Sequence, residues 1–453
     1  MNNTTQHLQQ IDRTNVWHPF TQMAEWTQTD QLIIERGSGN WLIDTEGNRY
    51  LDGVSSLWTN VHGHCVPEID AAVQEQLAKI AHTTMLGLAS VPATELAGRL
   101  VQMLPEGLTR VFYSDSGSTA VEVALKIAFQ FQQQAEAGDP NRTQFISMQH
   151  AYHGDTIGSV AVGGMDLFHA TYKHMLFQGE KVQAPYCYRC PFKKEKASCN
   201  NECFQHVEEV METHGATAAA FVIEPLVQGA AGQIMHPEGY LTHVRNLCTR
   251  HDVILIADEV AVGFGKTGTM FACEQEHCTP DIICLAKGIS AGYLPLAATV
   301  ASERIYNGFL GRHEEFKTFF HGHTYTGNPL ACAAALANLD YFANNNVMER
   351  LQSKIAHLQS RLEEIAPLKH VGEIRNRGIM TGIELVRDTA SKAPYAADQK
   401  IGHRVCMEAR KHGVIIRNLG DVIVLMPPLS ITTNEIDLLC RATAESITAI
   451  TGN

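Results

Sequence analysis

Lys287 follows an apolar stretch at 281–286 and precedes a glycine. An earlier apolar stretch, 253–257, runs into Asp258 and Glu259. An amine at one strand end and a carboxylate at another suit chemistry built on an aldehyde cofactor with a pyridinium ring. The amine forms a Schiff base, and the carboxylate keeps the ring nitrogen protonated so that the ring absorbs the electrons of a carbanion. Pyridoxal 5'-phosphate (PLP) is the cofactor with those needs. Plainer roles compete: Asp258 as a helix N-cap, Lys287 as a solvated loop lysine.

A third stretch supplies what a phosphate needs. Ser114-Asp115-Ser116-Gly117-Ser118-Thr119-Ala120 joins a strand pattern to a helical one. Backbone N–H groups at such a helix start, with its positive dipole end, receive phosphate, and Ser116 and Ser118 add hydroxyls. The same residues also make an ordinary helix cap. Tyr152, within Gln149-His150-Ala151-Tyr152-His153-Gly154, is an aromatic able to stack on a cofactor ring, or a core or turn residue. Glu224-Pro225 ends the strand pattern before that of Asp258, and a buried carboxylate there implies a cationic partner. Thr324 offers a further hydroxyl to a phosphate, or sits in a turn ahead of the next helix.

These residues need strands to hold them. Short apolar runs at 110–113, 143–148, 219–224, 253–258, 281–285 and 297–301 alternate with helical patterns. That is the mark of an α/β fold with a mainly parallel sheet covered on both faces. Ligands gather at the carboxyl ends of such strands, where Asp258, Lys287 and the loop after Tyr113 lie. Residues 1 to about 30 read as polar and irregular, and 33–44 as two short strands around glycine turns. One long helical segment near 328–365 leads into a C-terminal α+β region holding 378–385 and 413–417.

With 453 residues, 18% charged and 45% hydrophobic, the chain reads as an ordinary globular enzyme. A net charge of -13 without a basic run argues against nucleic-acid binding. No apolar run is long enough to span a bilayer, and the first residues lack the basic-then-apolar layout of a signal peptide. The expectation is a cytoplasmic protein with no membrane or nucleic-acid partner. Its twelve cysteines are expected to be reduced. Cys187, Cys190, Cys199 and Cys203 have a spacing that could ligate zinc or an iron–sulfur cluster, or belong to a reduced exposed loop, and no metal is assigned.

Taken in order, Ser116-Gly117-Ser118, Tyr152-His153-Gly154, Glu224-Pro225, Asp258-Glu259-Val260, Lys287-Gly288 and His323-Thr324 resemble the class III aminotransferases of PLP fold type I. The resemblance covers essentially the whole chain. It implies a large PLP-binding domain at 66–335 with a mainly parallel seven-stranded sheet, and a small α+β domain drawn from both chain ends. Residues 1–65 would join that small domain and the active-site entrance, and 336–453 would complete it. It implies a homodimer with shared sites, in which Thr324 reaches the phosphate of the neighbouring subunit.

Residues 15–23, with Trp17-His18-Pro19-Phe20-Thr21, and residues 52–64 look like the diaminononanoate synthase branch of biotin biosynthesis. Enzymes of that branch aminate the ketone of 8-amino-7-oxononanoate by a ping-pong cycle. The resemblance places Phe20, Leu57, Trp58, Tyr152, Gly322, His323 and Arg417 at the substrate, with the planar Arg417 guanidinium on a carboxylate. The branch's usual amino donor is S-adenosylmethionine. Phe20, Leu57, His323 and Val424 stand where that pattern has a tyrosine, a tryptophan, a proline and a tyrosine. The lost hydroxyls and ring weaken a pocket for a sulfonium and adenine and resemble the lysine-using branch. L-lysine is therefore the expected donor, with S-adenosylmethionine its rival. A class III ω-amino-acid transaminase using pyruvate or 2-oxoglutarate is the alternative activity.

Overall fold

The computed structural model describes residues 3–452. Residues 1, 2 and 453, at the outer bounds of the terminal segments above, lie outside it.

Strands β1 (Ile34–Ser38), β2 (Trp41–Asp44) and β3 (Arg49–Asp52) form an antiparallel meander. The large sheet is built from β4 (Leu108–Ser114), β5 (Gln144–Met148), β6 (Glu180–Val182) and β7 (Ala218–Ile223). After β7 the chain makes a short hairpin, β8 (Val227–Gln228) and β9 (Ile234–Met235). It then returns to the sheet as β10 (Ile254–Asp258), β11 (Ile282–Leu285) and β12 (Ala297–Ser302). The C-terminal part adds β13 (Val371–Arg377), β14 (Met380–Leu385), β15 (Val414–Ile415), β16 (Arg417–Leu419) and β17 (Val422–Leu425).

The large sheet has seven strands in the order β4-β12-β11-β10-β7-β5-β6, parallel except for β12. Every residue of β7, β10 and β11 is buried, which explains their unbroken apolar runs. On one side lies the helix Gly117–Gln134, which buries Ala120, Val121 and Ala124. Its packing brings the Ser116 end to the edge of the sheet where Asp258 and Lys287 emerge. The seventh strand, β6, had no signal in the sequence. It has three residues, two of them charged, and is defined by its pairing to β5, Ile146 to Glu180.

Both chain ends meet in a second sheet, where β15 runs parallel to β3 with Val414 opposite Leu51. A third sheet has the order β13-β14-β17-β16. Two expectations fail locally. The polar N-terminus is ordered, with a helix at Asn3–Asn15 and a short one at Met23–Trp26. Specific hydrogen bonds hold it. Gln9 Nε2 donates to Gln31 O at 2.8 Å, Arg13 Nη2 to Thr29 O at 2.7 Å, and Trp26 Nε1 to Asp12 Oδ1 at 2.7 Å. Hydrophobic periodicity does not register such contacts. The helical segment at 328–365 is two helices, Pro329–Asn344 and Val347–Ile365, because Asn346 takes the left-handed conformation (φ 46°) that asparagine tolerates. No helix among the described residues is long and apolar enough to cross a membrane.

Candidate functional site

Lys287 opens a 3-10 turn, Lys287–Ser290, directly after β11 and Ala286. Its φ of 47° is unfavourable for a residue with a side chain, so neighbours must hold it there. Asn338, on the helix Pro329–Asn344, donates to Gly288 O and Ile289 O, both at 2.9 Å. Its Oδ1 accepts from His62 Nε2 at 2.8 Å. Gly288 must be glycine, since a Cβ would lie 2.7 Å from that of Phe264. The clamped turn aims the lysine inward. Burial pushes its amine below the usual lysine range, and the charges of Asp258 and Glu224 pull it back up. The Nζ lies 4.9 Å from the Trp58 ring centroid, within cation–π range.

Asp258 is the last residue of β10 and its side chain is 5% exposed. Its Oδ2 accepts from His153 Nδ1 at 2.7 Å, and its Oδ1 from Val260 N at 3.0 Å. Glu224, just past β7, accepts from Tyr152 N (3.1 Å) and Gly229 N (2.9 Å). Burial pushes its carboxyl up to about 7. Glu259 has other work. It accepts from Ala272 N at 2.9 Å and Cys273 N at 2.8 Å, fixing a short turn outside the cavity, and burial raises it too to about 7.

Ser116 caps the helix Gly117–Gln134 in a reciprocal box with Thr119. That cap engages the N–H groups of Ser116 and Thr119. Those of Gly117 and Ser118 lie between them on the cavity wall. A Cβ on Gly117 would come within 2.5 Å of Val260 Cγ1, so glycine lets this turn close onto the loop beyond Asp258. Ser118 Oγ accepts from Thr156 N at 3.0 Å, which joins the turn to the segment carrying Tyr152. The Tyr152 hydroxyl donates to Asp155 Oδ2 at 2.7 Å.

Ser116, Gly117 and Ser118 thus line one side of a cavity of about 700 Å3, and Trp58, Tyr152, Glu224, Asp258 and Lys287 line the rest. An amine, a buried carboxylate and an anion-binding helix start face one space. That donor set fits PLP.

The other candidates are not on this wall. Phe20 is 59% exposed in an adjoining depression with Asp155, its ring 5.3 Å from that of Phe168, which in turn meets Tyr152 edge-on at 6.3 Å. Leu57 is half-exposed, and Gly322 and Thr324 are exposed. His323 approaches from behind, its Nδ1 donating to Asp115 Oδ2 at 2.6 Å, and Asp115 lines the cavity. Arg417, on β16, is close enough for its charge to act on the Tyr152 hydroxyl. Val424 is fully buried in β17. Two positioning residues, His153 and Asn338, have no role predicted from the sequence. His153 adjoins Tyr152, which marks it as a possible partner for a strand-end carboxylate, but Asn338 carries no such signal. Among the described residues no group of three or more His, Cys, Asp or Glu is arranged to hold a metal.

Residues 22–447 match the Aminotransferase class-III family. An adenosylmethionine-8-amino-7-oxononanoate aminotransferase from Nitratidesulfovibrio vulgaris is 57% identical over 447 residues, 99% of this chain and 82% of that protein. The crystal structure of an enzyme of the same name from Methanocaldococcus jannaschii matches with a TM-score of 0.94 at 46% identity, over 98% of this chain and 99% of the other. That of a thermostable (S)-enantioselective omega-transaminase from Thermomicrobium roseum matches with a TM-score of 0.92 at 34% identity, over 99% of each chain. The chain belongs to the class III aminotransferases, PLP-dependent enzymes of fold type I.

Proposed function

We propose that this chain aminates the ketone of 8-amino-7-oxononanoate to give 7,8-diaminononanoate, a step of biotin biosynthesis. The convergence of Lys287, Asp258 and the Ser116–Ser118 turn on one cavity carries this reading, in a chain 57% identical to a relative whose name contains that substrate.

When bound, PLP would supply an electron sink for the substrate carbanion. Lys287 anchors the cofactor and then takes and returns the substrate proton, a task suited to an amine made less basic by burial. Asp258 keeps a proton on the ring nitrogen, its own orientation fixed by His153 and Val260 N. Tyr152 would pack on the ring, and Glu224 holds the Tyr152 backbone in place. Gly117 and Ser118 N–H and the Ser116 and Ser118 hydroxyls receive the phosphate. Trp58, Phe20, Leu57, Gly322 and His323 shape the substrate entrance, and Arg417 takes the substrate carboxylate. The cycle is ping-pong, with donor and acceptor using the same cavity in turn.

Thr324 serves the phosphate of a second copy in a homodimer. Its segment supports this, since Phe316, Phe320 and Tyr325 are 67%, 73% and 60% exposed and call for cover. The chain divides into 1–65, 66–335 and 336–453, and works in the cytoplasm.

The amino donor is S-adenosylmethionine, the compound paired with 8-amino-7-oxononanoate in the relatives' names. L-lysine is the second reading, favoured by the apolar Phe20 and Leu57 at the entrance. A spectrum of the PLP-loaded protein mixed with each donor decides between them. Loss of the cofactor band with S-adenosylmethionine alone supports the first, and loss with lysine alone the second. The 34% identity to an omega-transaminase favours the alternative reading, a class III ω-amino-acid transaminase, for which pyruvate or 2-oxoglutarate would be the acceptor. Product analysis with each acceptor tests it: diaminononanoate from the 7-oxo substrate, with no alanine from pyruvate and no glutamate from 2-oxoglutarate, supports the biotin reading.

A further inference from the structure

Lys266 is 1% exposed, yet its ammonium bonds to no carboxylate. Its Nζ donates to Ser55 Oγ at 2.8 Å, Asn60 O at 3.1 Å and Pro427 O at 3.3 Å. Three neutral oxygens match the three donors of an ammonium, but such burial is costly and needs a return. The acceptors show what is gained. Two are the ends of one segment, residues 55–60, and the third lies in the loop after β17. Ser55 Oγ donates onward to Met426 O at 2.6 Å, closing the ring of contacts.

Between those ends the backbone is strained. Ser55, Ser56 and Trp58 have φ of 52°, 62° and 63°, a region that residues with side chains avoid. The outcome is that Trp58 turns inward, 5% exposed, with its ring 4.9 Å from Lys287 Nζ, while Leu57 faces out. We propose that Lys266 is a positioning residue for Lys287. By tying both ends of 55–60 to the C-terminal loop, it holds the Trp58 ring against the reactive amine. The inference rests on Lys287 being the cofactor-holding lysine.

The charged and titratable groups acting on this clamp are few. Asp52, bonded by His64 Nε2 at 3.1 Å, favours the Lys266 ammonium, and Lys287 opposes it. Burial, the dominant cause, lowers Lys266 to about 7; burial also lowers His62, with the Lys266 charge adding to it. Lys266 can therefore act on Lys287 in two ways, through the Trp58 ring or through space as a like charge. The two have opposite signs. Losing the ring contact makes Lys287 easier to deprotonate, whereas losing a like charge makes it harder.

A double-mutant cycle on the PLP-loaded protein separates them, read as the pH midpoint of the cofactor absorption band. Lys266→Met should lower the midpoint by about half a unit to one unit, the worth of a partly buried cation–π contact. In a Trp58→Leu background the same change should not lower it. Equal shifts in both backgrounds, a rise in both, or no shift with Trp58 present would overturn the proposal. If Lys266→Met does not fold, Ser55→Ala keeps the lysine and removes one acceptor. It should give a smaller fall that again needs Trp58, and a fall independent of Trp58 would equally overturn it. The wild-type band separates the two layers of the argument. Its absence would remove Lys287 as the anchor and this inference with it, whereas a normal band insensitive to Lys266 would remove only the inference.

Discussion

The strand ends of the large sheet and the segments around them are built on different plans. At the strand ends, Asp258 is buried, Lys287 lines the cavity half-buried, and both are held by partners within the same chain. Asp258 is fixed by His153 and Val260 N, and the Lys287 turn by Asn338. In the surrounding segments, Phe20, Leu57, Gly322 and Thr324 have exposed side chains or backbone and lie off the cavity wall. The amine, the carboxylate and the anion-binding turn thus face one cavity within a single chain, while these other candidates lie outside it. Rigid strands supply precision to the first, and loops leave the second open to variation.

The largest test of that contrast is Lys287→Ala, which should reduce turnover at least about 1,000-fold. Near-normal turnover would end the PLP reading. Asp258→Asn should retain the cofactor through gel filtration, followed by absorbance, while kcat drops roughly 100- to 10,000-fold. A similar kcat would mean that this carboxylate only packs.

Glu224→Gln probes the strand ends by stability. The carboxyl titrates near 7 when folded against its ordinary 4.5, so the unfolded chain gives up the proton first as pH rises. Its contribution is therefore present below about pH 4.5 and lost on the way to pH 7, on the order of 3 kcal/mol. Denaturation of the cofactor-free variant should show a shallower loss of stability between about pH 5 and 7. Glu259 keeps its own share of the slope. An unchanged slope would show that Glu224 is ionised in the folded protein.

Among the surrounding segments the effect should be smaller and fall on binding. Arg417→Ala should raise KM for the keto substrate roughly 10- to 100-fold, the worth of one hydrogen bond to a charged group, with kcat little changed. Kinetics with an unchanged KM would take Arg417 out of the site.

The same division governs what could be read from residues alone. Six of the seven strands have apolar runs because both sheet faces are covered, and the lysine and carboxylates follow those runs directly. β6 is hidden by its length, and the N-terminal helix by its dependence on polar bonds to residues 26–31. The sequence contains Ser55 and Lys266, but the clamp they belong to joins residues more than 200 positions apart. The His323 to Asp115 bond is similarly long-range. Nothing in local spacing encodes such contacts. They arise only when the sheet order is set.

The most direct test of the central claim starts with the amino form of the loaded enzyme. It is mixed separately with 8-amino-7-oxononanoate, pyruvate and 2-oxoglutarate, and the return of the cofactor's original absorption band is followed. The account predicts that 8-amino-7-oxononanoate alone restores the band and yields diaminononanoate. Restoration by pyruvate or 2-oxoglutarate, with none by 8-amino-7-oxononanoate, would contradict it.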